Sequence, residues 1–341
     1  MHYFLQDDPC LPARSSLMEL LALCERRGLA ANELLSGTSL FAADLHKPNA
    51  RLSPRQLDKV IQRASRINYG DTLPLLLASA TLYQQDLPLG KLLLQQKNLG
   101  KALACLYFFR QQLQPLVSLS VLCHQDRLSL YFSDSIGLAP LHQFTIEHSI
   151  SLLLVLFSHY GLDANSCRKH VRIELCRPAP ALLHDYRHHW PADIHFMQRH
   201  NRLSFPLAFL QQPGSTATTK EVLWLCRLQR HYSPSGMGLL SYSRRFLQRC
   251  LPVQPTPEQL ANELGLSPAQ LKRLLRQHHS HFSQLLDEAR QQHALQLMLK
   301  PKQSNRQLAS ELGYSDEHNF RRAFKRWTGL QPSVIKDWFL I

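Results

Sequence analysis

Residues 259–267 read Q-L-A-N-E-L-G-L-S and residues 307–315 read Q-L-A-S-E-L-G-Y-S, with seven of nine positions identical across a shift of 48. Each copy has the grammar of a helix-turn-helix. Gln-Leu-Ala-x-Glu-Leu makes a short amphipathic helix with Leu and Ala inward, and the Gly supplies a left-handed residue that stops it. Leu266 or Tyr314 then plugs the corner, and Ser267 or Ser315 is expected to cap the helix that follows. A helical solenoid could also repeat a helix pair, but it needs more than two copies and matching flanks.

The second helix of each unit is the one expected to read DNA. In the first unit, Ser267-Pro268-Ala269-Gln270 is a capping box with Pro where a missing N–H costs nothing. Leu271, Leu274 and Leu275 share the inner face, which leaves Ala269, Gln270, Lys272, Arg273 and Arg276 outward. In the second unit Phe320, Ala323, Phe324 and Trp327 form the inner stripe, followed by stop signals at Gly329 and Pro332. His318, Asn319, Arg321, Arg322, Lys325 and Arg326 are left for the nucleic acid. Gln270, Lys272, Arg273, His318 and Asn319 are the candidates for base edges, and most other basic residues the candidates for phosphates. The competing reading of any one arginine is a solvated surface. Asp316 and Glu317 are expected to favour the helix N-terminus electrostatically rather than to contact a base.

Between the units, Phe282, Leu285, Leu286, Ala289, Ala294, Leu297 and Met298 keep helical spacing, which predicts one helix over about 282–299. Such a helix is roughly 27 Å long, close to the ~34 Å between successive major-groove faces, so one chain could engage two adjacent grooves.

Residues 257–335 resemble the DNA-binding domain of the AraC/XylS family of bacterial transcription regulators. The run L-A-S-E-L-G-Y-S-D-E-H-N-F-R-R-A-F-K-R-W-T-G-L-Q-P-S over 308–333 matches the family signature nearly end to end, and Arg290 and Ala294 fall where its linker helix carries Arg-x-x-x-Ala. One departure is His278-His279-Ser280-His281, where the family more often has a Gly-containing turn. Residues 15–205 resemble, more diffusely, the arabinose-binding-type N-terminal domain of one branch of that family. The features are L-L-S-G-T, S-P-R-Q-L, P-L-G at 88–90 and N-R-L-S-F-P-L near 201–207. The resemblance implies promoter DNA, a small-molecule effector, RNA polymerase and a second copy of the chain as partners, with activation as the output. Amino acids and fatty acids are among the effectors such regulators recognise.

The rest of the composition fits this expectation. At 341 residues two domains are the default, and a hydrophobic fraction of 44% supports buried cores. The net charge of +14 suits a polyanionic partner, yet the 12 Lys+Arg and 8 Asp+Glu after Leu251 account for only +4 of it. An acidic effector or further DNA contact is one explanation of the other +10, and surplus solubility the plainer one. The eight cysteines form no C-x-x-C pair, and most sit among apolar neighbours and read as reduced core residues of a cytoplasmic protein. No leader or membrane span is expected.

The order of segments predicts an α+β N-terminal regulatory domain followed by an all-α tandem helix-turn-helix domain. Helices are expected at 16–27, 53–68, 99–112, 141–160, 220–231 and 237–250, and strands at 116–123, 128–132, 171–175 and 203–205. The expected division is 1–210 for effector binding and dimerisation, 211–251 as linker and connecting helices, and 252–341 for DNA. No hydrolase, nucleotide-binding or zincin motif is present, which disfavours a DNA-targeted enzyme, and no cofactor is implied. His184, His188, His189, His195 and His200 lack a ligand set at metal spacing, so no metal is expected. The aromatic run Leu103–Leu113, with Lys97, Lys101 and Arg110, borders either an apolar pocket with a cationic mouth or an ordinary core. No effector residues follow from sequence, and a regulator controlled by a protein partner or by abundance stays open.

Overall fold

Leu128, Leu130 and Phe132 alternate with Ser129, Tyr131 and Ser133, so the strand Arg127–Asp134 is apolar on one face and polar on the other. It lies second in a five-stranded sheet of the computed structural model, which describes residues 3–47, 49–66, 72–83, 88–124, 126–181, 183–214, 224, 236–298, 304–328 and 331–332. Across the sheet the strands run Val117–His124, Arg127–Asp134, Asn201–Pro206, Arg172–Glu174 and Asp193–His195. All neighbours are antiparallel except the last pair. The expected hairpin and the strands near 171–175 and 203–205 are present, joined by the short Asp193–His195 that carries no alternation long enough to read.

The apolar face of this sheet packs on Ala139–His159, a helix buried on nearly every side. Leu73–Leu82 lies against that helix too. Its sequence, L-P-L-L-L-A-S-A-T-L, has no polar face and hence no helical period, so sequence periodicity does not reveal it. The helices Ala13–Glu25, Pro54–Ala64 and Leu99–Leu113 match expectation, the second opening on a Ser53–Gln56 capping box. The N-terminal helices share a second core with the start of Ala139–His159, built on Leu17, Leu20, Val60, Leu141 and Phe144.

Two sequence expectations change. Gln211 to Gly214 are not free linker: Leu99 donates to the Gln212 carbonyl and Gly214 donates to that of Lys97. The rest of that linker, 215–219, and the helix expected at 220–231 lie outside the described residues, apart from residue 224. The helix Leu239–Cys250, expected only to connect, puts Leu239, Leu240 and Leu247 into the core of the first helix-turn-helix unit. Among the described cysteines, Cys24 and Cys167 are buried and Cys10 and Cys105 pack against the cores, while Cys123 and Cys176 are exposed.

His148 is buried in the Ala139–His159 helix between Thr81 (Oγ1 to Nε2, 3.1 Å) and Gln114 (Nε2 to Nδ1, 2.7 Å). Burial pushes its pKa from the ordinary 6.5 down to about 4. The unfolded chain therefore binds this proton more readily, and the contribution of neutral His148 is lost as pH falls from about 6.5 towards 4. We expect on the order of 3 kcal/mol less stability at the acid end of that window. Chemical denaturation against pH checks this; a His148→Gln variant with an equally steep acid loss would assign it elsewhere.

Candidate DNA-binding surface

Capping boxes set the start of three of the four helices in the two units. Thr256 and Gln259 open Pro257–Glu263, Ser267 and Gln270 open Pro268–Gln277, and Ser304 and Gln307 open Asn305–Glu311. The turn glycines are left-handed, Gly265 at φ +69° and Gly313 at φ +73°. The fourth helix, Glu317–Thr328, corrects the expected cap by one residue. Asp316, not Ser315, accepts from the Asn319 backbone N–H at 2.7 Å, and Ser315 turns its hydroxyl to the Asp316 carboxylate. That hydrogen bond holds the Asp316 carboxyl below its usual pKa. The expected stop at Gly329 lies outside the described residues.

The departure at 278–281 also has a physical answer. His279 adopts φ +50°, the left-handed conformation that a glycine would otherwise supply. The chain then enters Phe282–Met298, whose first half (Leu285, Leu286, Ala289) belongs to the core of the first unit. Its second half (Ala294, Leu297, Met298) belongs to the core of the second. Arg290 sits between the halves, buried, donating from Nε to the Leu312 carbonyl at 3.1 Å with its guanidinium 4.7 Å from the Tyr314 ring centre. Tyr314 in turn lies against Phe320 and Trp327, filling the corner as expected.

Leu271 and Leu275 of the first recognition helix are buried, as are Phe320, Ala323, Phe324 and Trp327 of the second. Ala269, Gln270, Lys272, Arg273, Arg276, His318, Asn319, Arg321, Arg322, Lys325 and Arg326 are all exposed. They are not equally free. Gln270 Oε1 accepts from the Ser267 N–H at 2.8 Å, which ties that oxygen to the cap and leaves the amide NH2 freer for a base. The Asn319 amide donates to Asp316 at 2.7 Å, and Arg326 pairs with Asp287 of the long helix at 2.7 Å. Lys272, Arg273, Arg276, Arg321, Arg322 and Lys325 form no ion pair among the described residues.

The N-terminal domain grips the far end of the first recognition helix. Gln6 Nε2 donates to the carbonyls of Ile136 (3.2 Å), Gly137 (3.1 Å) and Gln277 (3.3 Å). Buried His278 meets the Ile136 carbonyl through Nδ1 at 2.5 Å. Gly137 has φ +80°, and a Cβ there would stand 2.0 Å from the His278 carbonyl oxygen. Arg244 pairs with Glu288 of the long helix at 2.7 Å and donates to the Asp134 carbonyl. Local sequence signals do not disclose these contacts, because each joins positions more than 40 residues apart.

The family model described as the arabinose-binding domain of AraC transcription regulators matches residues 28–214, more than half of the chain, and a helix-turn-helix domain model matches residues 260–337. The chain belongs to the AraC family of transcription regulators. It is therefore a DNA-binding regulator with an N-terminal ligand-binding domain, and not an enzyme. It is 28% identical over 322 residues to the ornithine utilization regulator of Pseudomonas aeruginosa, covering 93% of this chain and 94% of that protein. It is also 28% identical over 157 residues to the regulator GadX of Escherichia coli K12, covering 44% of this chain and 57% of that one. Among solved structures, the regulator CdpR from Pseudomonas aeruginosa aligns with 82% of this chain and 90% of its own at 16% identity, with a TM-score of 0.36.

Within this AraC-family surface, Arg273 is the most informative residue, being exposed, mid-helix and without an ion pair among the described residues. If it reads a base, Arg273→Ala weakens binding to an operator by ~1–3 kcal/mol and relaxes one base position, leaving scrambled duplex nearly unaffected. Fluorescence anisotropy on both duplexes measures this. Equal loss on the two would make Arg273 a phosphate contact.

Proposed function

We propose that this AraC-family regulator activates transcription from promoters where both helix-turn-helix units occupy one face of the duplex, in response to a small carboxylate, an amino acid being the best-supported class. Both recognition helices carry exposed basic residues, while the N-terminal domain holds the first one at Gln277 and His278. The grip at Gln277 and His278 carries the reading, because any ligand that favours one arrangement of the N-terminal domain then biases the position of a DNA-reading helix. The named role of the Pseudomonas aeruginosa relative in ornithine utilization, across nearly the full length of both chains, favours an amino acid over a fatty acid.

The working location is the cytoplasm, with RNA polymerase and a second copy of the chain as partners. No helix among the described residues is long and apolar enough to cross a membrane. The eleven exposed residues named above are proposed as the DNA contacts, with Gln270, Lys272, Arg273, His318 and Asn319 at base edges. A second reading, control by a protein partner or by abundance alone, makes the same DNA contacts without an effector.

Genomic fragments selected on the purified chain supply an operator. We expect L-ornithine or another free amino acid to change the affinity for that operator by roughly 5–150-fold, with the operator changing the affinity for the amino acid by the same factor. Anisotropy and calorimetry give the two halves of that cycle. Operator affinity indifferent to all twenty amino acids and to ornithine would leave the partner-controlled reading.

A further inference from the structure

Gln270 and Asn319 hold the same place in the two recognition helices. Each lies three residues after its cap, Ser267 or Asp316, and each precedes the first buried residue of its helix, Leu271 or Phe320. Both side chains are exposed, and both end in a primary amide, whose oxygen accepts and whose NH2 donates. The two caps engage opposite ends of that amide.

In the first unit the cap offers a backbone N–H. The Ser267 N–H meets the Gln270 amide at 2.8 Å, and because an N–H can only donate, the end that faces it is Oε1. Gln270 Nε2 has no hydrogen-bond partner among the described residues. In the second unit the cap offers a carboxylate. Asp316 Oδ2 lies 2.7 Å from the Asn319 amide and, being ionised, can only accept, so the end that faces it is Nδ2. Nδ2 also lies 3.5 Å from Ser315 Oγ, which draws the NH2 further towards the cap. Asn319 Oδ1 accepts no hydrogen bond among the described residues.

Asp316 is exposed, yet both its oxygens are already engaged. Oδ1 accepts from the Asn319 backbone N–H at 2.7 Å, and Oδ2 takes the Ser315 hydroxyl at 3.1 Å as well as the Asn319 amide. The Asn319 backbone N–H, above all, holds this carboxyl below its usual pKa and so keeps it charged. A charged acceptor makes the stronger kind of hydrogen bond, and a side chain held before binding loses less entropy at the interface.

We infer that Asp316 is a positioning residue for sequence reading, turning the Asn319 amide so that Oδ1 is presented to the DNA, whereas the Ser267 cap leaves Gln270 to present its NH2. The same helix position then reads opposite chemistry in the two units. Asn319 takes a base with an exocyclic amino group in the major groove, adenine N6 or cytosine N4, and Gln270 takes an exocyclic oxygen, guanine O6 or thymine O4. This rests on the placement of both residues at base edges in the reading above.

The test is the affinity of the full chain for a selected operator carrying each base pair in turn at each position, measured by competition anisotropy. Four proteins are compared: the parent, Asn319→Ala, Asp316→Ser and the double variant. Serine at 316 can still cap the helix but brings no carboxylate to the amide. Melts like that of the parent show that each variant folds. We expect Asn319→Ala to flatten the preference at one position roughly fivefold, Asp316→Ser to flatten the same position by a similar factor, and the double variant to do no more. Deleting the exocyclic amino group there, with purine for adenine or pyrimidin-2-one for cytosine, should weaken the parent roughly fivefold more than Asn319→Ala. An equal loss in both proteins would overturn the polarity. Asp316→Ser weakening every duplex alike, with the preference intact, would overturn the positioning role and leave Asn319 a reader. A preference that Asn319→Ala leaves unchanged would remove Asn319 from the base edges, and the inference with it.

Discussion

The helix Phe282–Met298 contributes to two cores that, among the described residues, share no other element. Leu285, Leu286 and Ala289 close the first helix-turn-helix unit, and Ala294, Leu297 and Met298 close the second. Arg290 fixes the junction by holding the Leu312 carbonyl and the Tyr314 ring. Neither unit can turn about this helix without exposing its own apolar stripe. A buried leucine is worth roughly 1.5–3 kcal/mol, so several on each side make the spacing of the recognition helices a property of the fold rather than of a flexible linker.

The same helix is where the N-terminal domain makes contact. Arg244, Glu288 and the Asp134 carbonyl form one link, Gln291 and His200 another at 3.1 Å, and Arg199 reaches the end of the second recognition helix. Gln6, Gly137 and His278 hold the end of the first. These links are polar and partly solvated, unlike the leucine-rich cores on either side, so rearrangement between the domains costs less than rearrangement within them. Burial also lowers the pKa of His278, which keeps the imidazole neutral at the interface, able to donate one hydrogen bond without a charge in need of a counterion.

Much of the DNA-binding half was legible in the sequence because its signals are local. Capping boxes span four residues, turn glycines mark single positions, and a buried stripe repeats every three or four. The misplaced cap shows the limit of such signals: Ser315 and Asp316 are both good caps, and only the Asn319 hydrogen bond decides between them. The N-terminal sheet was legible where strands alternate, as in L-S-L-Y-F, and not where three residues such as Asp193–His195 merely join an edge. The role of Leu239–Cys250 was hidden for another reason. Its apolar face is visible in the sequence, but its partners lie beyond a proline-rich stretch that reads as a boundary. The contacts between the domains were the least legible, since Gln6, Gly137, Gln277 and His278 meet only when the two domains dock.

If one helix fixes the distance between two DNA-reading units, a single bound chain leaves two marks on the duplex. Hydroxyl-radical footprinting of a selected operator, at a measured stoichiometry of one chain per duplex, tests this directly. The account requires two protected windows about 10 base pairs apart, centre to centre, on one face of the helix. A single protected window per chain, with the second basic surface leaving no trace, would contradict it.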